Sequence, residues 1–213
     1  MNLKVIVIYQ FDHDKFIWDP AVKGTSCGKP PLTSNVRPLK THSYDENPMG
    51  TIHLVFGPQG AGKSTYSRQL AEKIEGVCFS IDDWMGSLYG PDLPKPMNFS
   101  WIMERVQRCE QRIWLTATEV ARTGGSIVLD LGFMKVKNRS GFLALAATNK
   151  HAAQLHFINA PHEIRRNRVL TRNVQKGDTF SFEVTAPMFD FMEREFEPPT
   201  DQELASSVVL NSH

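Results

Sequence analysis

The residues Gly57-Pro58-Gln59-Gly60-Ala61-Gly62-Lys63-Ser64 fill every position of the pattern G-x-x-x-x-G-K-[ST]. Glycines at these places let the backbone fold tightly, so that successive N–H groups converge on phosphate oxygens. A helix opening near Lys63 aims its positive end at the same anion. Lys63 then reaches the β- and γ-phosphates, the Ser64 hydroxyl sits on Mg²⁺, and Thr65 supports the α-phosphate from the helix start. The motif predicts a bound nucleoside triphosphate and leaves open what is done with it.

Carboxylates come next, because phosphoryl transfer to a hydroxyl needs one acid to orient the acceptor and another to hold the metal. Two apolar runs end in aspartate: Ile81-Asp82-Asp83 and Leu129-Asp130. Asp82 or Asp83 is expected to act as the base, and Asp130 to hold Mg²⁺ with Ser64. Arg165, Arg168 and Arg172 follow at helical spacing and are expected to share one face opposite the triphosphate, with Arg166 pointing elsewhere. Residues 176–179, Lys-Gly-Asp-Thr, start as a closing lid would. Trp84, Met85, Leu88 and Tyr89 either line an acceptor pocket or pack beneath the connector holding Pro91, Pro94 and Pro96. His53 and His156 lie within strand runs and read as core residues, while Lys135, Lys137 and Arg139 read as a solvated basic loop.

These groups need a scaffold, and residues from 50 onward alternate strand and helix signals. Strands are expected at residues 52–56, 77–81, 127–130, 155–158 and 208–210. Helices are expected after the glycine loop (Tyr66, Leu70 and Ile74 at spacing four), from Trp101 to Arg122, around Phe142 to Ala146, from Pro161 to Gln175, and from Pro187 to Phe196. The long helix carries the stripe Met103, Val106, Glu110, Ile113, Ala117, Val120. Such alternation implies an α/β fold, a parallel sheet covered on both faces. Residues 1–49 differ: one strand-like stretch from Leu3 to Phe11, then a Pro/Gly/Ser/Thr-rich passage from Asp19 to Pro48. They read as an N-terminal extension, poorly ordered or adding an edge element, ahead of a functional domain at 50–213 that could begin at Met49.

The chain has 213 residues, 24 Lys+Arg against 23 Asp+Glu, and three cysteines. Near-neutral charge argues against a nucleic-acid arm, and residues 50–213 hold 18 basic and 18 acidic residues. Neither a membrane span, a secretory signal, a disulfide scaffold nor a zinc module is indicated, so a cytoplasmic monomer or homodimer is expected.

Together, the stretch from Gly57 to Thr65, the segment Ile81-Asp82-Asp83-Trp84 and the helix Arg168-Val169-Leu170-Thr171-Arg172-Asn173 resemble a bacterial group of small P-loop kinases. The group includes chloramphenicol phosphotransferase, zeta-toxin-type sugar-nucleotide kinases and the kinase domain of polynucleotide kinase. The likeness covers roughly residues 51–210. It implies a five-stranded parallel sheet with the P-loop strand central, ATP and Mg²⁺ as cofactors, an aspartate base at Asp82 or Asp83, and a phosphate clamp from Arg168 and Arg172. Some members carry an Arg shortly after this aspartate to grip the acceptor, where this chain has Trp84 and Met85, which leans against a phosphorylated acceptor. Residues 180–199, from Phe180 to Pro199, are similar to uncharacterised ATP-binding members. The resulting expectation is transfer of the γ-phosphoryl group to a hydroxyl of a small molecule, an antibiotic or metabolite. A polynucleotide, nucleoside or sugar-nucleotide kinase and a nucleotide-switched binding ATPase stand as alternatives.

Overall fold

A computed structural model describes residues 49–96, 98–175 and 184–212. The strand-like stretch from Leu3 to Phe11, the passage from Asp19 to Pro48 and the lid start at residues 176–179 lie outside the described residues.

The chain enters the core as β1 (Ile52–Phe56), whose Ile52, Leu54, Val55 and Phe56 are wholly buried. A strand apolar at almost every position must be covered on both faces, and it is. Helix α1 (Lys63–Lys73) lays Tyr66, Leu70, Ala71 and Ile74 over the Val55 face, against Val128 and Ile158. Strand β2 (Val77–Ser80) is followed at once by α2 (Ile81–Tyr89), a connector, and the long α3 (Phe99–Arg122). Strand β3 (Ile127–Asp130) leads to α4 (Val136–Thr148), which covers the opposite face and sets Arg139 over the Phe56 ring at 4.6 Å. The order closes with β4 (Ala153–Asn159), α5 (His162–Gln175), α6 (Ala186–Glu195), α7 (Asp201–Ser206) and β5 (Ser207–Asn211).

All four pairings are parallel and the spatial order is β2-β3-β1-β4-β5, so the expected five-stranded sheet with the phosphate-loop strand at its centre is present. The chain builds outward to β2 and β3 on one side of β1, then to β4 and β5 on the other. That makes the carboxyl end of β1 the switch point, where open α/β sheets place their ligands.

Three details differ from the sequence reading. The second strand stops at Ser80 rather than Ile81, because the Ser80 hydroxyl accepts from the Asp83 N–H at 3.3 Å and caps a helix. The buried stripe of α3 is rotated: Ile102, Cys109 and Ala121 join Val106, Glu110, Ile113 and Ala117, while Met103 and Val120 are only half-buried. The sequence reading holds no helix at α2 or α7, although Ser80 caps the first and Thr200 and Glu203 form a reciprocal capping box for the second.

Candidate functional site

The cradle is built where β1 runs out. At Gly57 (φ 151°) a β-carbon would stand 2.0 Å from the carbonyl oxygen of Ile158 on the adjoining strand, so no other residue fits there. The loop turns through a bond from the Ala61 N–H to the Pro58 carbonyl (3.3 Å) and delivers Lys63 as the first residue of α1. The Lys63 ammonium donates to the Pro58 carbonyl at 3.1 Å, folding over the loop it serves. Burial pulls its pKa down, while the carboxylates of Asp130 and Asp82 push it back up. An ammonium folded over a glycine loop, within the field of two carboxylates, is a charge arrangement that a polyphosphate with its metal completes.

The acids sit at the ends of the neighbouring strands, where register brings Ser80 beside Asp130. Asp130 is only 7% exposed, and its carboxylate accepts a hydrogen bond from the Ser64 hydroxyl. Burial raises its pKa despite that bond and the nearby Lys63. A hydroxyl paired with a buried carboxylate whose charge is under-compensated is a fitting donor set for Mg²⁺, which takes one or two protein oxygens and fills its other positions with phosphate and water.

The acidic pair divides. Asp83 turns outward to Arg68 at 3.8 Å, both side chains being more than 40% exposed (44% and 43%). Asp82 turns inward, where burial first and the Asp130 charge second push its pKa up to about 7, against the pull of Lys63 and Arg172. Adjacent in the first turn of α2, the two side chains leave the helix roughly 100° apart and so meet different surroundings.

The three arginines divide as well. Arg172 belongs to the site, since the Asp82 carboxylate bears on its guanidinium. Arg168 donates to the Ser212 hydroxyl at 3.0 Å, beyond the end of β5. Arg165 corrects the expectation of a shared phosphate-facing surface. It is 6% exposed, bonded to the carbonyls of Ala160 (2.8 Å) and Gln59 (3.2 Å), and doubly bonded to the carboxylate of Glu193. Its charge is already answered by Glu193.

Arg139 is a second correction, being fully buried rather than solvated. It meets Glu203 at 2.6 and 3.0 Å and donates to the carbonyls of Phe133, Glu197 and Pro198. Lys135 pairs with Glu195 at 3.3 Å and with Glu197 at 3.6 Å. The signal for both arginines was faint, because the partners Glu193 and Glu203 lie on other elements. The two histidines are joined: His53 Nδ1 and His156 Nε2 are 2.9 Å apart, and the Tyr66 hydroxyl meets His156 Nδ1 at 2.8 Å. Of the four residues after the acidic pair, Met85 is buried in the core, Trp84 packs edge-on to Phe79, Tyr89 packs edge-on to Trp101, and Leu88 is exposed.

The arrangement resembles several solved structures. A sugar kinase from Janibacter sp. HTCC2649 is 15% identical, with a TM-score of 0.53 over 76% of this chain and 85% of that one. The APS kinase of Mycobacterium tuberculosis, in complex with AMPPNP and APS, is 16% identical with a TM-score of 0.52, covering 77% and 89%. Kti12 of Chaetomium thermophilum, in complex with ADP-AlF3, is 14% identical with a TM-score of 0.56, covering 76% and 88%. At these identities the likeness establishes the fold, that of P-loop kinase-like proteins. No curated protein matches by sequence. Residues 52–199 match the model of a family described as an AAA domain. That span holds the cradle, both strand-end acids and Arg172, and it is well over half of the chain, so the protein belongs to this AAA domain family.

Proposed function

We propose that the protein is a phosphotransferase that moves the γ-phosphoryl group of ATP to a hydroxyl of a small molecule. The observation that carries this reading is the inward carboxylate of Asp82, set among Lys63, Asp130 and Arg172 while its neighbour Asp83 faces Arg68. A half-buried carboxylate beside a second acid at the mouth of the cradle is suited to take the proton of an acceptor hydroxyl, which a kinase needs. AMPPNP and ADP-AlF3 in the structures of similar fold support an adenine nucleotide.

The residues divide the work as follows. The amides of residues 57–65 and the Lys63 ammonium hold the triphosphate. Ser64 and Asp130 hold Mg²⁺, which when bound supplies charge neutralisation on the phosphate oxygens. Asp82 accepts the proton of the acceptor hydroxyl as its oxygen bonds to the γ-phosphorus. The bond to the β-phosphate oxygen breaks, and ADP leaves with the electron pair. Arg172, and Arg168 once drawn from Ser212, offset the charge spread over the transferring oxygens. The even balance of 18 basic and 18 acidic residues in 50–213 weighs against a polynucleotide acceptor.

The test is incubation with γ-labelled ATP, Mg²⁺ and a panel of hydroxylated antibiotics, nucleosides and sugar nucleotides, with chromatography of the products. A labelled acceptor formed by wild type and by Asp83→Asn, but not by Asp82→Asn, is the expected outcome. Equal transfer by Asp82→Asn removes the base and with it this reading.

A further inference from the structure

A loop that turns its N–H groups inward to a phosphate must turn carbonyls outward, and an outward carbonyl buried against protein needs a donor. At Gln59 that donor is the Arg165 guanidinium, at 3.2 Å. The first turn of α5 also presses on the next residue: a β-carbon on Gly60 would lie 2.6 Å from the Arg165 carbonyl oxygen. Because a trans peptide is planar, with its C=O and N–H opposed, fixing the Gln59 oxygen outward fixes the Gly60 N–H toward the cradle.

The guanidinium is itself held in place. Its Nε donates to Ala160 at the end of β4, and its two terminal nitrogens grip both oxygens of Glu193, Nη2 to Oε2 at 2.7 Å. Glu193 stands on α6, and α6 reaches the other half of the site too. Just past its end, the Glu197 N–H donates to the Met134 carbonyl (2.9 Å), and Lys135 pairs with Glu195, on the loop that follows Asp130. At its start, the Asn173 side chain clamps both the N–H and the C=O of Val184 (3.0 and 2.8 Å). α6 therefore braces the phosphate loop through Arg165 and the Asp130 loop through Lys135.

We infer that Arg165 and Glu193 are positioning residues: they hold the Gln59–Gly60 peptide with its N–H toward the bound phosphate, and they link α6 to nucleotide binding. The inference rests on the nucleotide reading above. Paired with Glu193, Arg165 still bears on Lys63 by its charge, and through its bond to the Gln59 carbonyl it also acts on the peptide plane. If α6 favours the phosphate-binding form of the loop, then binding of nucleotide favours the docked form of α6 to the same degree.

Two measurements on the full chain test this, both with Mg²⁺ and a non-hydrolysable ATP analogue. In hydrogen exchange of wild type, the analogue is expected to slow the amides of α6 as well as those of residues 57–65. In calorimetry, Glu193→Gln is expected to weaken the analogue about tenfold at a temperature where the variant is folded, and to lose the slowing at α6. Asp190→Asn, an exposed change on the same helix, is expected to bind like wild type. A purely architectural pair would lower the melting temperature without a ligand-dependent change at α6. The inference fails if α6 exchange in wild type ignores the analogue while residues 57–65 respond, or if folded Glu193→Gln binds with wild-type affinity. Absence of any binding by wild type would overturn the nucleotide reading itself, a distinct result.

Discussion

Asp82 and Asp83 are adjacent, chemically identical, and opposite in fate. Asp83 forms an exposed pair with Arg68, of a kind worth a few tenths of a kcal/mol, so Asp83→Asn should leave stability and transfer nearly unchanged. Asp82 is half-buried beside the buried Asp130, a position that disfavours its ionisation. Asp82→Asn is expected to lower transfer by roughly 10²–10⁴-fold, the usual worth of a general base, while nucleotide affinity holds. The same change relieves the crowding of a half-buried carboxylate against the buried Asp130, so the ligand-free variant should melt about 2–4 °C higher, the equivalent of ~1 kcal/mol in a chain this size. Differential scanning calorimetry checks the second effect independently of any acceptor. The sign of the pH dependence follows from a pKa raised to about 7: the base works only when ionised, so kcat/KM should fall as pH drops below about 7.

At the scale of elements, two buried polar assemblies stand out. In the first, His156 on β4 lies between His53 on β1 and Tyr66 on α1, 4% exposed, and burial with the His53 charge depresses its pKa to about 4. The unfolded chain takes up the proton near pH 6.5 and the folded chain does not. Its contribution is present in full above pH 6.5 and is lost as pH falls toward 4, by on the order of 3 kcal/mol at most. Urea midpoints between pH 7 and 4 should fall steeply for wild type and more gently for His156→Gln. In the second, Arg139 on α4 ties α7 through Glu203 to the carbonyls of Phe133, Glu197 and Pro198. Arg139→Ala would strand the Glu203 carboxylate and three carbonyls, costing about 3–5 kcal/mol. The double change Arg139→Met with Glu203→Gln should cost clearly less, since no charge is left unpaired; chemical denaturation of both variants decides.

At the scale of the molecule, the sheet order sets everything else. Strands growing to either side of β1 leave the crevice at its carboxyl end, and the phosphate loop, Asp130 and the first turn of α2 all open there. A ligand bound only by the folded state stabilises it by mass action, about 2.7 kcal/mol at 100 times Kd. Mg²⁺·ATP should therefore raise the melting temperature of wild type by roughly 5–10 °C, and Lys63→Ala should abolish most of that rise. No helix among the described residues is long and apolar enough to cross a membrane.

Local information carried the sequence reading far. The spacing of Gly57, Gly60, Gly62, Lys63 and Ser64, the apolar runs of the strands and the aspartates closing them are contiguous patterns, each with its own physical cause, and they sufficed for the parallel sheet and the cradle. The Ser80 and Thr200 caps were equally local, and their S/T-x-x-D/E spacing is a signal that reading passed over. What remained closed to one dimension was direction and partnership. Which of two neighbouring aspartates enters the site depends on how Ser80 starts a helix over the edge of β2. Which arginine is tied to a carboxylate and which is left nearer the cradle depends on whether a Glu193 or a Glu203 arrives from an element dozens of residues away. Chain folding in three dimensions settles such matters, because burial and pairing of charge are properties of what surrounds a residue.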